Sequence, residues 1–299
     1  MNKSKLNRIT TFDVVNSALV ILITLLIAYP LYFIVIASFS KPADVMAGKT
    51  MLWFTEVTTT NYEYLLNETR LWTGYRNTII YTLLGTLYQL FLTIPAAYVL
   101  TKKYMPLRNF FSWFFFLTMY ISGGLIPSFI LMKSLGMVDN PLILIIGGGV
   151  SCYNLIITRQ YFSSSIPSDL YEAAQIDGST EWKCFTKIAM PLAKPIIAVM
   201  ALYYGVGIWN SYYTAMVYVR EEDFWPLQLV LKEILISSQD IVIEPGMDME
   251  MIEALMHRLE MVQGMKYAII FVASAPLLAI YPFIQKYFAK GIMIGAVKG

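Results

Sequence analysis

Six stretches of this 299-residue chain contain no Asp, Glu, Lys, Arg or His: 14–40, 77–101, 109–132, 140–158, 195–219 and 267–285. An α-helix rises about 1.5 Å per residue and a hydrocarbon core is about 30 Å thick, so about 20 such residues suffice to cross it. In lipid every backbone N–H and C=O must be paired within the structure, which leaves helices and closed barrels. The short alternating segments of a barrel are not seen. The expected fold class is all-α: a polytopic membrane protein with six transmembrane helices, forming a single transmembrane domain over 1–299. Only 14% of the residues are charged, against about 25% in soluble domains. A soluble enzyme is excluded. The first block is too long for a signal-peptide core and is expected to remain as a span.

Orientation follows from the cations. Placing the N-terminus in the cytoplasm puts thirteen of the 22 Lys and Arg residues on that side, but only five of the 20 acids. The Lys/Arg excess predicts that both termini are cytoplasmic. Stretches 41–76 and 220–266 then become outer loops, and 159–194 is the one long inner loop. Pro30, Pro95, Pro276 and the Gly123, Gly124, Pro127 run are expected to kink their helices.

No span holds the carboxylate or histidine that marks a proton relay, although sodium held by carbonyls and hydroxyls stays open. No GxxxxGK[ST] sequence and no metal-ligand cluster is present. His257, the single histidine, sits among Glu253, Arg258 and Glu260 and reads as part of a solvated helix face. Cys152 and Cys184 read as free thiols. The net charge of +2 points to no nucleic-acid partner. Uphill transport would therefore draw its energy from another polypeptide, with no cofactor bound by this chain.

The most informative stretch is 166–191. It reads as two short helices joined by a glycine turn. Asp169 is expected to N-cap the first, with Glu172 completing a box-like arrangement. Gly178 is expected to end it in the left-handed conformation. Ser179 would cap the second, Trp182, Phe185 and Ile188 would form its apolar stripe, and Pro191 would end it. Such a hairpin can lie in lipid headgroups. Small Ala173 and Ala174 beside an acid suit a shallow protein cleft better, which predicts a shaped docking element.

Glu172-Ala173-Ala174, then Gly178, Ile188 and Pro191, resemble the EAA motif of bacterial ABC importer permeases, EAA-x3-G-x9-I-x-LP, with Met190 in place of the leucine. Asp177-Gly178, Trp209-Asn210 and the tail from Gly291 to Gly299 are similar to the maltose-type, six-span carbohydrate-uptake permeases. The long outer loops look most like the subgroup that imports complex oligosaccharides such as aldouronates.

The resemblance implies a non-catalytic subunit in a bacterial plasma membrane, surrounded by lipid. Its partners would be a second permease subunit, two ATPase subunits that use ATP-Mg, and an extracytoplasmic solute-binding lipoprotein. Glu172, Ala173, Ala174, Asp177, Gly178, Ile188 and Pro191 would couple to the ATPase. Gly295, Lys298 and Gly299 in the tail would reach between the ATPase subunits. The outer region from Ser237 through Glu244, Pro245 and Gly246 to Met249 would meet the binding protein. Trp209, Asn210, Tyr212 and Tyr213 offer aromatic faces and hydrogen bonds to a sugar, although Trp and Tyr also gather at membrane interfaces. A permease for a non-sugar solute and a self-sufficient secondary carrier remain alternatives.

Overall fold

The structure, a computed structural model, describes residues 10–236 and 247–296, with the side chains of 283, 284 and 286–296 excepted. It is helical throughout, and no strand forms among the described residues beyond one isolated bridge, Ser40 to Val57. The principal helices are α1 (Thr11–Ser38), α2 (Thr60–Asn67), α3 (Thr69–Val99), α4 (Arg108–Leu117), α5 (Leu125–Ser134), α6 (Leu142–Ile146), α7 (Cys152–Ser165) and α8 (Ser168–Ile176). There follow α9 (Glu181–Leu192), α10 (Lys194–Trp209), α11 (Tyr213–Tyr218), α12 (Leu227–Ile236) and α13 (Met249–Ala296).

Three helices are long and apolar enough to cross a membrane: Thr11–Ser38, Thr69–Val99 and, within α13, Met249–Pro282. The pair α9 and α10 has the length and apolarity of a further crossing, but is bent by 77° between them. Two expected spans are not single helices. Stretch 109–132 is interrupted at 118–124, around Gly123 and Gly124, and 140–158 is interrupted at 147–151, around its three glycines. The fifth stretch also breaks, at 210–212. Pro30, Pro95, Pro276 and Pro282, by contrast, all lie inside continuous helices. A proline removes one hydrogen bond, and neighbouring helices can offset that loss. Gly124 and Gly149 instead take φ of +82° and +51°, outside the helical region altogether. Stretch 220–266, expected as an outer loop, contains α12 and the first part of α13.

The chain divides into two compact units, Met1–Glu68 with Glu233–Ser274, and Thr69–Lys232 with Ala275–Gly299. In the first, α1 begins with a capping box in which Thr10 and Asp13 each accept the other's backbone N–H. Its apolar surface stays exposed until Ile36, Ala37 and Ser38 become buried. That end is held by Asn61 of α2. Its buried amide donates to the carbonyls of Ser38 at 3.2 Å and Ser40 at 3.1 Å, while Tyr62 donates to the Ser38 hydroxyl at 2.7 Å.

In the second unit α3 is the central post. Towards Val99 it carries Ile94, Ala97 and Tyr98 into a core with Leu155, Phe162, Phe185, Ala189 and Met200. A buried pair of hydroxyls, Thr93 and Tyr204, ties α3 to α10 at 2.7 Å. Towards its start, Asn77 donates to the carbonyls of Asp223 and Trp225, and Thr78 accepts the N–H of Leu227 at 2.7 Å. The loop before α12 is thus satisfied by side chains of α3.

Asn61→Leu would leave the Ser38 and Ser40 carbonyls buried without that donor. It is expected to cost about 1–3 kcal/mol and to lower the thermal unfolding midpoint of the purified protein, whereas Asn61→Asp at neutral pH should cost more, by facing a carboxylate to two carbonyls.

Candidate functional site

The hairpin 166–192 is the first candidate. Its first helix, α8, starts at Ser168 with Pro167 in the cap position, so Asp169 lies inside the first turn and does not cap it. Pro167 has no N–H of its own and its fixed φ suits a helix entry. Gly178 ends the helix as its pattern predicts, at φ +74°. The Ser179 N–H donates to Ala174 O at 2.9 Å and the Gly178 N–H to Gln175 O at 3.0 Å, the two bonds of a Schellman turn. Thr180, not Ser179, caps the second helix, its hydroxyl accepting from the Lys183 N–H at 3.4 Å.

That second helix is wound as a π-helix over Cys184–Ala189. Bonds from i to i+5 widen the turn and rotate the buried face. Cys184, Phe185 and Ala189 are therefore inside, and Trp182 is 71% exposed, so the simple Trp182, Phe185, Ile188 stripe does not form. Pro191 lies in the last turn of α9, which ends at Leu192 with Ala193 as its cap. Cys152 and Cys184 are both free and buried.

What fixes the hairpin to the membrane helices is a cluster that sequence reasoning missed. Lys102, just past the end of α3, has only 11% of its side chain exposed and sits 3.6 Å from the Glu181 carboxylate. Its ammonium also lies over the rings of Tyr171 at 3.8 Å and Tyr98 at 4.5 Å. Cation–π attraction is strongest where water is excluded. Glu181 accepts from Gln175 at 2.8 Å and from the Tyr98 hydroxyl at 3.2 Å. The Tyr98 ring in turn packs against Phe162, Tyr171 and Phe185. Both arms of the hairpin and the end of α3 thus meet at one ion pair.

Burial pushes the Glu181 carboxyl up, but the Tyr104 hydroxyl, the Lys102 charge, Gln175 and Tyr98 outweigh it, and the group is held below its ordinary 4.5. Burial, with Cys184 and Glu181 nearby, pushes Tyr171 up to about 12. Tyr104 is pushed up by burial and by its bond to Glu181. These phenols stay protonated at neutral pH.

The other face of the hairpin is bare. Glu172 and Ala173 are exposed, Ala174 half-buried, and Leu170 and Ile176 are 44% and 87% exposed. No ion pair or hydrogen bond engages the Glu172 carboxylate among the described residues. Ile188 is half-buried, and Asp177 is exposed at the helix end.

The second candidate is a cavity of about 770 Å³ within the second unit, in the range of ligand pockets. All three helix interruptions open onto it, through Ser122 and Gly124, through Gly147, Gly148 and Ser151, and through Ser211. Of Trp209, Asn210, Tyr212 and Tyr213, the four proposed from sequence, Tyr213 lines this cavity. Trp209 is buried against Tyr75, and Asn210 caps the end of α10. Tyr212 is exposed, with Lys232 5.1 Å from its ring centre. Met249 opens α13 and is exposed. Ser237, Glu244, Pro245 and Gly246 lie outside the described residues, as do Lys298 and Gly299, while Gly295 is in the last turn of α13. Among the described residues no group of three or more His, Cys, Asp or Glu side chains is placed to hold a metal ion.

Comparison with known proteins supplies the context. The family described as "Binding-protein-dependent transport system inner membrane component" matches residues 71–294. Protein LplC of Bacillus subtilis is 36% identical over 299 residues, covering 100% of this chain and 98% of the relative. The polygalacturonan/rhamnogalacturonan transport system permease protein YtcP of the same organism is 35% identical, covering 96% of this chain and 98% of the relative. Among solved structures, a chain of a bacterial ABC transporter involved in the import of the acidic polysaccharide alginate superposes with a TM-score of 0.81 at 33% identity, covering 93% of this chain and 96% of that one.

The Glu181 carboxyl, with its pKa lowered by folding, contributes stability that is fully present above its ordinary 4.5 and fades as the pH falls through the lowered value. Glu181→Ala is expected to raise amide hydrogen exchange across 168–192 several-fold at pH 7, whereas exposed Asp169→Ala should leave it unchanged. Strong acid should loosen the wild-type hairpin and have little further effect on the Glu181 variant.

Proposed function

This chain belongs to the family of binding-protein-dependent transport system inner membrane components, and from that premise we propose that it is the permease subunit that carries an oligosaccharide through an ATP-driven importer. It is a multi-pass membrane subunit and not itself a catalyst. The saccharide class is supported by the names of its relatives, which concern transport of polygalacturonan and rhamnogalacturonan, of arabinooligosaccharides and of alginate.

The observation that carries the mechanism is the hairpin, bare on one face and locked by Glu181, Lys102 and Tyr98 to the post α3 on the other. In our reading the bare face, with Glu172, Ala173 and Ala174, seats in a groove of a cytosolic ATPase subunit. Glu172 makes a charge-assisted hydrogen bond with a basic group there, and the alanines allow close approach. Exposed Leu170 and Ile176 add apolar contact. When the ATPase pair closes on ATP-Mg, the hairpin moves, and the Lys102 cluster passes that movement to α3. Packed elements of this kind switch as rigid bodies between discrete arrangements. The access of the bundle thereby changes from one side of the membrane to the other.

The finer architecture belongs to the same proposal. Six crossings with both termini in the cytoplasm are supported by the six charge-free stretches and the Lys/Arg excess over the termini and inner loops together. One such chain would pair with a second permease subunit and two ATPase subunits, and would receive substrate from an extracytoplasmic binding protein. The tail from Gly295 would approach the ATPase pair, and 237–249 would meet the binding protein.

Gly178 separates coupling from folding. Nothing lies within 4 Å of a Cβ built at this position, so only its φ of +74° restricts the residue. Gly178→Asn, which tolerates that region, is expected to retain uptake. Gly178→Pro, whose ring fixes φ near −65°, and Glu172→Lys are expected to reduce uptake to below about a tenth while membrane insertion is kept. Normal uptake by both would remove the coupling role.

A further inference from the structure

Between α1 and α2 the chain carries a short apolar run, Met51-Leu52-Trp53-Phe54, bracketed by Lys49 and Glu56. A loop tip in water ordinarily keeps such a patch covered. Here Met51, Leu52 and Trp53 are 60%, 69% and 70% exposed, and the Trp53 and Phe54 rings meet edge to face at 5.5 Å. The loop that presents them is closed at its neck. Gly48 turns the chain at φ +68°, and the hydroxyl of buried Thr50 pairs with that of Thr55 at 3.1 Å. Beyond the neck the Thr58 N–H donates to Phe39 O at 2.8 Å. The charges stay at that level, where Lys41 lies 3.6 Å from Glu56 and Lys49 lies 3.5 Å from Asp44.

Beside the tip stands the membrane span itself. The Tyr29 hydroxyl of α1 donates to Met51 O at 3.2 Å, and the Tyr32 hydroxyl donates to Leu52 O at 2.8 Å. Both tyrosines precede the end of α1 at Ser38, so the tip folds back along the helix. Counting about 20 residues across the hydrocarbon from Val14, where the charge-free stretch begins, puts the far boundary at about residue 33. Both tyrosines, and the two carbonyls they hold, therefore sit at the boundary layer where Tyr and Trp gather. Backbone that enters this layer needs partners of its own, because water is scarce there. The span supplies two of them. The tip also extends the surface of α1, whose residues 14–32 are exposed and carry no charge.

We propose that residues 51–54 are an interfacial anchor that inserts into the lipid leaflet at the Ser38 end of α1. On the orientation in the reading above, that is the outer leaflet. The four apolar side chains leave water for the acyl boundary, the Lys49 and Glu56 neck stays among the headgroups, and Tyr29 and Tyr32 set the depth. Asn61 holds Ser38 and Ser40 at the same end of α1, so the anchor fixes the height of the first unit in the bilayer.

The complete importer in phosphatidylethanolamine–phosphatidylglycerol nanodiscs, with a nitroxide on Leu52→Cys, tests this. Collisions are measured with oxygen, which concentrates in lipid, and with a water-soluble nickel chelate. Native Cys152 and Cys184 are buried, and the chain without an added cysteine gives the background. The oxygen-to-nickel ratio at 52 is expected to approach that of a label on exposed Ile27→Cys in the span and to exceed that of Lys49→Cys several-fold. Tyr29→Phe with Tyr32→Phe should lower the ratio at 52 several-fold and leave the Ile27→Cys value unchanged. A label at 52 reached freely by nickel would put the tip in water, and one reached by neither agent would put it against protein, such as a second permease subunit. Either result overturns the proposal, as does an unchanged ratio in the double variant. A membrane-impermeant maleimide reads the side separately. Lys49→Cys is expected to react in intact cells, and reaction only after permeabilisation would overturn the outer-leaflet placement by defeating the orientation itself.

Discussion

The contact between Lys102 and Glu181 is the point on which the arrangement of this chain turns. A helix hairpin attached to a membrane bundle only by flexible loops could bind a partner without moving anything. Here a mostly buried ammonium is held by one carboxylate and two tyrosine rings, and those groups come from the end of α3 and from both arms of the hairpin. An unpaired buried charge is costly, so removing either partner leaves the other in an unfavourable state. The cluster therefore has a preferred geometry, and in the proposed mechanism a push on the hairpin reaches α3 through it.

The same chain treats its transmembrane polar groups quite differently. Its long uncharged stretches keep ions out of the hydrocarbon, and the interruptions at 118–124 and 147–151 place Ser122, Gly124, Gly147, Gly148 and Ser151 at the cavity wall. Pro30, Pro95, Pro276 and Pro282, by contrast, stay within continuous helices. Rigid posts and unwound stretches are thus kept apart. α3 is continuous for 31 residues, and the interrupted segments contribute residues to the cavity wall.

Much of this was legible in the sequence, for identifiable reasons. Charge-free length announces helices in lipid, and the Schellman turn at Gly178 follows from glycine's access to positive φ. The EAA pattern has fixed spacing and survives one replacement, at Met190. Other features depend on tertiary context. Thr180 rather than Ser179 became the cap, and the π-winding of 184–189 moved Cys184 and Ala189 inside in place of Trp182. Lys102 looked like one more cation on the inner side, because its burial is created by Tyr98 and Tyr171, 4 residues before it and 69 after it in the chain.

The central claim is that this chain works as the membrane part of a larger ATP-driven machine. Its most direct test is to isolate the tagged chain from its native membrane in mild detergent and identify what accompanies it. The account predicts a second polytopic permease together with an ATPase. A chain that arrives alone and, after reconstitution, moves a saccharide on an ion gradient without ATP would contradict it.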